Sequence, residues 1–153
     1  MKIFRNFAVG IMGLSLFLTL NSCALRSIPS DYSDVKVETV DLDALGNGKI
    51  LIYNGASILH SMDNTARLNL WIDKKPVGQI RTKEYMIIDL PRGNHEFTAL
   101  HLDMVNMRSN HPVNVNEATK VIRIEPTITS NKLTVTNVLP ENFDKYKNRV
   151  DRK

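Results

Sequence analysis

The chain has 153 residues, 20 basic against 16 acidic, a formal charge of +4 and a single cysteine. That length allows one domain, and one cysteine excludes an internal disulfide, so the fold must rest on its core. The mild charge argues against a nucleic-acid partner, and phosphate-loop and dinucleotide glycine motifs are missing from the sequence.

The N-terminus reads as a secretory leader. Lys2 and Arg5 supply a positive start, and Ala8 to Leu20 form an uncharged, mostly apolar run. That run is shorter than the ~20 residues of a comfortable membrane span and suits a signal-peptide core. It ends at Leu20-Asn-Ser-Cys23, which resembles a bacterial lipobox. The resemblance implies cleavage before Cys23, a diacylglycerol on its thiol and a further acyl chain on its amine. Two or more chains anchor stably, because each buried methylene contributes about 0.8 kcal/mol. In that family an aspartate after the cysteine favours inner-membrane retention, so Ala24 implies the cell outer membrane, with the domain facing the periplasm. Residues 1–22 are thus expected to be signal peptide, 23–48 anchor and tether, and 49–153 a folded domain. Without the leader, 18 basic residues face 16 acidic ones.

Leu25 to Gly48 is rich in serine, aspartate and proline and reads as solvated and weakly structured. Val35, Val37 and Thr39 alternate with polar residues, which permits a short strand there. Gly46-Asn47-Gly48 signals a turn.

Strand signals follow. Ile50 to Tyr53 is a short apolar run, suited to a buried strand. Residues 56–64 read as a loop, with an extended piece at Ile58-Leu59. Ala66, Leu68, Leu70 and Ile72 alternate with Arg67, Asn69, Trp71 and Asp73, which sets Leu70 on the apolar face and Asn69 and Trp71 on the other. Trp71 is expected to pack over a neighbouring strand or loop. Asp73 to Pro76 reads as a tight turn in which Asp73 bonds its own downstream backbone. Val77 to Ile80 and Tyr85 to Leu90 are the next strands. Pro91-Arg92-Gly93 is a sharp turn, and His95 to Leu102 is a strand with both faces partly apolar, hence central.

Asp103 to Pro112 is expected to be a long connection. Val113 to Val115 and Thr119 to Glu125 read as a strand pair, and Leu133 to Val138 as the last strand. Pro140, with Phe143, Tyr146 and Val150 near helical spacing, predicts a short terminal helix, and its basic residues suit the C-terminal end of the dipole. About seven strands with frequent turns predict an all-β antiparallel sandwich.

The stretch from Leu70 to Gly78, Glu84-Tyr85 and Asp89 to His95 resembles small bacterial sandwich domains of the PEGA and carboxypeptidase-regulatory-like kind, some carried by lipoproteins. Lys74 or Lys75 stands where their turn carries glycine, and Arg92 separates Pro91 from Gly93. The resemblance covers roughly residues 49–138. It implies a prealbumin-like or immunoglobulin-like sandwich and no known catalysis.

Candidate chemistry is sparse. His95 and His101 share a strand face, but six residues at ~3.3 Å each separate them by about 20 Å, too far to share one ion. His101 and Asp103 are closer and need further ligands. His95 is expected to bond backbone near the turn. No Gly-x-Ser-x-Gly elbow occurs, and Cys23 is expected to be acylated. The basic tail from Lys145 to Lys153 reads as a solvated face. The sequence therefore points to no catalytic residues, metal or cofactor, and to a lipid-anchored envelope protein whose sandwich binds a protein or glycan or gives structural support. The other class is a small periplasmic hydrolase or metal-dependent enzyme, which a buried cluster of convergent polar residues would favour.

Overall fold

A computed structural model describes residues 25–56, 66–103 and 105–152. The expected leader, Cys23 and the expected extended piece at Ile58-Leu59 lie outside the described residues.

Among the described residues, nine strands form two sheets that pack as a β-sandwich. They are β1 (Lys49–Asn54), β2 (Leu68–Ile72), β3 (Lys75–Ile80), β4 (Glu84–Asp89), β5 (Gly93–Leu102), β6 (Asn106–Val115), β7 (Val121–Pro126), β8 (Asn131–Val135) and β9 (Lys147–Asn148). One sheet has the order β8-β7-β1-β4-β9, the other β3-β2-β5-β6. The main core lies between them: Ile50 and Ile52 of β1 and Met86 and Ile88 of β4 meet Leu68, Leu70 and Ile72 of β2 and Phe97 of β5.

The expected periodicity holds where apolar residues alternate. Leu70 is fully buried in the core, opposite Ala99. The four-stranded sheet is wholly antiparallel. The five-stranded sheet is mixed, because β1 pairs β7 in parallel and β4 pairs β9 in parallel. This corrects the purely antiparallel expectation.

Three further expectations change. The connection foreseen between Asp103 and Pro112 is mostly strand: β6 pairs with β5 along its whole length. Its inward positions include Ser109 and His111 opposite Ala99 and Phe97, so polar residues conceal the period. Val113–Val115 and the segment after it do not pair; they end in different sheets. The terminal helix is replaced by two single 3₁₀ turns, Phe143–Lys145 and Arg149–Asp151, flanking β9. A helix this short is marginal by itself. Here Phe143 and Tyr146 turn inward instead, stacking 5.9 Å apart, with Phe143 5.0 Å from Tyr85.

The segment from Leu25 onward is not the solvated tether its composition suggests. The Asn69 side-chain amide donates to the Arg26 carbonyl at 2.8 Å, and Gln79 donates to Leu25 at 3.1 Å. The Asp31 N–H donates to Pro76, and the Val35 N–H donates to Ile87. Val35, Val37, Val40 and Leu42 then pack on a second apolar cluster, which includes Leu51, Tyr53, Tyr85, Ile87 and Val121 on the outer face of the five-stranded sheet. The segment therefore wraps from one outer face past β3 and β4 to the other. Its strand-like pairings among the described residues are two isolated bridges, Asp34 with Ile88 and Gly46 with Lys49 at the start of β1. Asn69, placed on an outward face by its period, is only 2 % exposed because this segment covers it.

A clasp fixes the wrap. The Arg149 guanidinium donates to both Asp34 carboxylate oxygens, at 2.6 to 3.0 Å, and to the Val77 carbonyl and Ser30 hydroxyl. Gly78 makes room for it. Gly78 has φ +107°, and a Cβ there would stand 2.7 Å from an Arg149 nitrogen. Arg152 likewise pairs with Glu84 and bonds the Gln79 carbonyl. Two residues of the expected solvated basic tail thus belong to the fold.

Candidate functional site

Two histidines settle into local structure. Asp73 and Lys74 form the two-residue β2–β3 turn with φ 51° and 67°, the primed geometry that matches strand twist. Lys74 thus adopts a conformation usually left to glycine. The Asp73 carboxylate does not bond its own turn. It accepts from the Glu96 N–H at 2.9 Å and lies 2.6 Å from His95 Nδ1. His95 Nε2 is 2.7 Å from the Pro91 carbonyl, the expected backbone partner near the turn. His95 therefore ties the β4–β5 turn to the β2–β3 turn.

His101 is buried and bonds Asn131 Oδ1 at 2.8 Å. The Asn131 amide donates to the Ala99 and Met107 carbonyls and to Ser109 Oγ, at 3.0 to 3.1 Å. Ser109 Oγ lies 2.8 Å from His111 Nε2. This chain of polar groups joins β8, an edge of one sheet, to β5 and β6, the latter an edge of the other. It satisfies groups that the open side of the sandwich would otherwise bury unpaired. Neither Ser109 nor His111 stood out in the sequence. The only available signal was their spacing of two within a strand, which puts both on one face. Among the described residues, no three His, Cys, Asp or Glu side chains converge in a way that could hold a metal ion.

Two of these groups contribute to the acid response of the fold. Burial pushes the His111 imidazole below its usual 6.5. The unfolded chain then takes up a proton that the folded one resists, so this contribution is complete above pH 6.5 and shrinks as pH falls from there towards the folded value. The hydrogen bond with His95, then that from the Glu96 N–H, hold the Asp73 carboxyl below 3.8. Its contribution is present above pH 3.8 and is lost as pH falls through the lower folded value. Urea midpoints measured from pH 8 to 3 should therefore fall in two steps, and His111→Gln should flatten the upper one alone. An unchanged upper step would assign it to another group.

A cleft of about 410 Å³ opens on the outer side of the five-stranded sheet, within the range of small-ligand sites. Tyr53, Arg123, Thr136, Val138, Glu141 and Tyr146 are among its lining residues. Tyr53 and Tyr146 meet edge to face at 5.7 Å. Arg123 pairs with Glu125 and donates to the Gly55 carbonyl at 3.2 Å. Gly55 permits this approach, since a Cβ there would be 2.3 Å from Arg123 Nε. Burial raises both tyrosine phenols, and Arg123 opposes the shift. The cleft thus combines aromatic rings, an apolar wall and a guanidinium already neutralised by a carboxylate. Its residues come from three distant parts of the chain, so no local motif announces it. Comparison with protein-family models, curated proteins and solved structures found no match.

Proposed function

We propose that this is a lipid-anchored cell-envelope protein that presents a non-enzymatic β-sandwich for binding. Acyl chains on Cys23 hold it at the outer membrane, facing the periplasm. The observation that carries this reading is the positive, then apolar, then Leu-Asn-Ser-Cys order of residues 2–23. The motif resemblance to lipoprotein-borne sandwich domains supports it.

The cleft supports a glycan as the bound partner. Tyrosine offers an apolar ring and a polar tip, which suits the alternating C–H and O–H surfaces of a sugar. Pairing of Arg123 with Glu125 favours hydroxyl groups over a strongly anionic ligand. The test combines both halves. Metabolic labelling with a fatty-acid probe should mark the wild type and not Cys23→Ala; equal label in the two would sink the anchor. Titration of the acylated protein with soluble peptidoglycan fragments should give binding that Tyr146→Ala weakens at least several-fold. Undiminished binding by that variant would move the site elsewhere.

A hydrolase is the second reading, favoured by the contact of Ser109 with His111 inside a buried polar network. Ser109 Oγ already accepts from Asn131 there, and among the described residues no carboxylate bonds His111. Labelling by a fluorophosphonate probe that disappears in Ser109→Ala would establish the enzyme reading instead.

A further inference from the structure

The anchor and the docked N-terminal segment together fix an orientation. The Leu25 and Arg26 carbonyls are held by Gln79 and Asn69, which also bond each other at 3.1 Å. Those two amides are 3 % and 2 % exposed. They pair across β3 and β2 on the side opposite Leu68 and Leu70, which is the outer face of the four-stranded sheet. The chain therefore joins the sandwich on that face.

Cys23 precedes Leu25 by two residues. Consecutive Cα atoms are 3.80 Å apart, so Cys23 lies at most ~8 Å from the docked Leu25. In the sequence only Ala24 stands between Cys23 and the docked Leu25. The surface beside this entry suits a headgroup layer. Trp71 is half-buried, with the Arg108 guanidinium 5.0 Å from its ring centre. Leu100 pairs with Asn69 on the same face, and Arg26 is exposed beside it. Tryptophan is enriched at membrane interfaces, and arginine stems cover apolar surface while the charge stays wet. Among the described strand residues of this face, Glu96 is the acidic one, four residues from Leu100 along β5.

We propose that the outer face of the β3-β2-β5-β6 sheet lies against the phospholipid headgroups, leaving the tyrosine cleft on the opposite sheet turned away from the membrane. This rests on the lipid anchor at Cys23. The occupant of the face is the bilayer itself, because the chain leading to the anchor ends there. Packed sheets are about 10 Å apart, so the cleft stands a full sandwich thickness from the lipid and open to a partner.

Trp71 is the only tryptophan and reports on its own face. The acylated full chain would be reconstituted into vesicles of phosphatidylethanolamine and phosphatidylglycerol, with and without lipid carrying a doxyl quencher near the headgroup. Flotation is scored first, then emission. Flotation with loss of most Trp71 emission is the expected result. In a Trp71→Phe background, Val138→Trp, at an exposed position lining the cleft, should keep its emission. Flotation with Trp71 unquenched, or with the Val138→Trp variant quenched more strongly, would overturn the orientation and leave the anchor standing. Failure to float would remove the anchor and the orientation with it.

Discussion

Arg149→Ala is expected to destabilise the domain by about 3–5 kcal/mol, the usual cost of leaving one member of a buried ion pair alone. The Arg149 side chain is 7 % exposed and that of Asp34 15 %. Removing the guanidinium strands a carboxylate that water barely reaches, and also frees the Val77 carbonyl and Ser30 hydroxyl. The effect should spread, because Arg149 joins the C-terminal turn to a segment 115 residues earlier. Arg149→Lys should recover little, since one ammonium cannot reproduce the planar fork that meets both carboxylate oxygens. Lys36→Ala provides the comparison. Lys36 pairs with Asp151 over 3.1 Å, but the two side chains are 73 % and 50 % exposed, and such surface pairs contribute at most about 1 kcal/mol. Urea melts would rank the three variants. Equal losses in Arg149→Ala and Lys36→Ala would mean that the wrap stands without its clasp.

Legibility in the sequence followed the range of the interactions. The strands around Leu51, Leu70, Ile88 and Phe97 were readable because an apolar residue at every second place, or a short apolar run, is a local signal. In β6, local reading failed. Its inward positions carry Ser109 and His111, whose burial is tolerable only because Asn131, more than 20 residues later, bonds into the same network. The N-terminal segment failed for a related reason. Its composition lacks the apolar content to order itself, and what orders it are the amides of Asn69 and Gln79 and the distant Arg149. Phe143 and Tyr146 gave a helix-like spacing, yet that spacing of three also serves one 3₁₀ turn that lays both rings beside Tyr85 and Tyr53. The cleft was invisible for the same cause: Tyr53, Arg123 and Tyr146 become neighbours only after β1 and β7 pair in parallel and the C-terminus folds back.

Phe97→Ala is expected to cost about 3–5 kcal/mol, the range for truncating a buried phenylalanine. Phe97 is fully buried and belongs to the inter-sheet core. It lies in β5, between Ile72 of β2 and His111 of β6. Such a ring is hard to replace by collapse, since strands hydrogen-bonded on both sides cannot move inward independently. The loss should therefore combine the transfer term with an unfilled cavity. Leu100→Ala tests the register on the same strand. Leu100 points outward, beside Asn69, and is half-buried, so its truncation should cost much less. Both variants should unfold with the wild-type dependence on urea, because neither changes how much surface unfolding exposes by more than one side chain. A Leu100→Ala loss equal to that of Phe97→Ala would mean that the outward face is as deeply packed as the core. Within the proposed orientation that result would call for a protein cover on this face in place of lipid, because these melts are made on soluble protein, where no bilayer contributes.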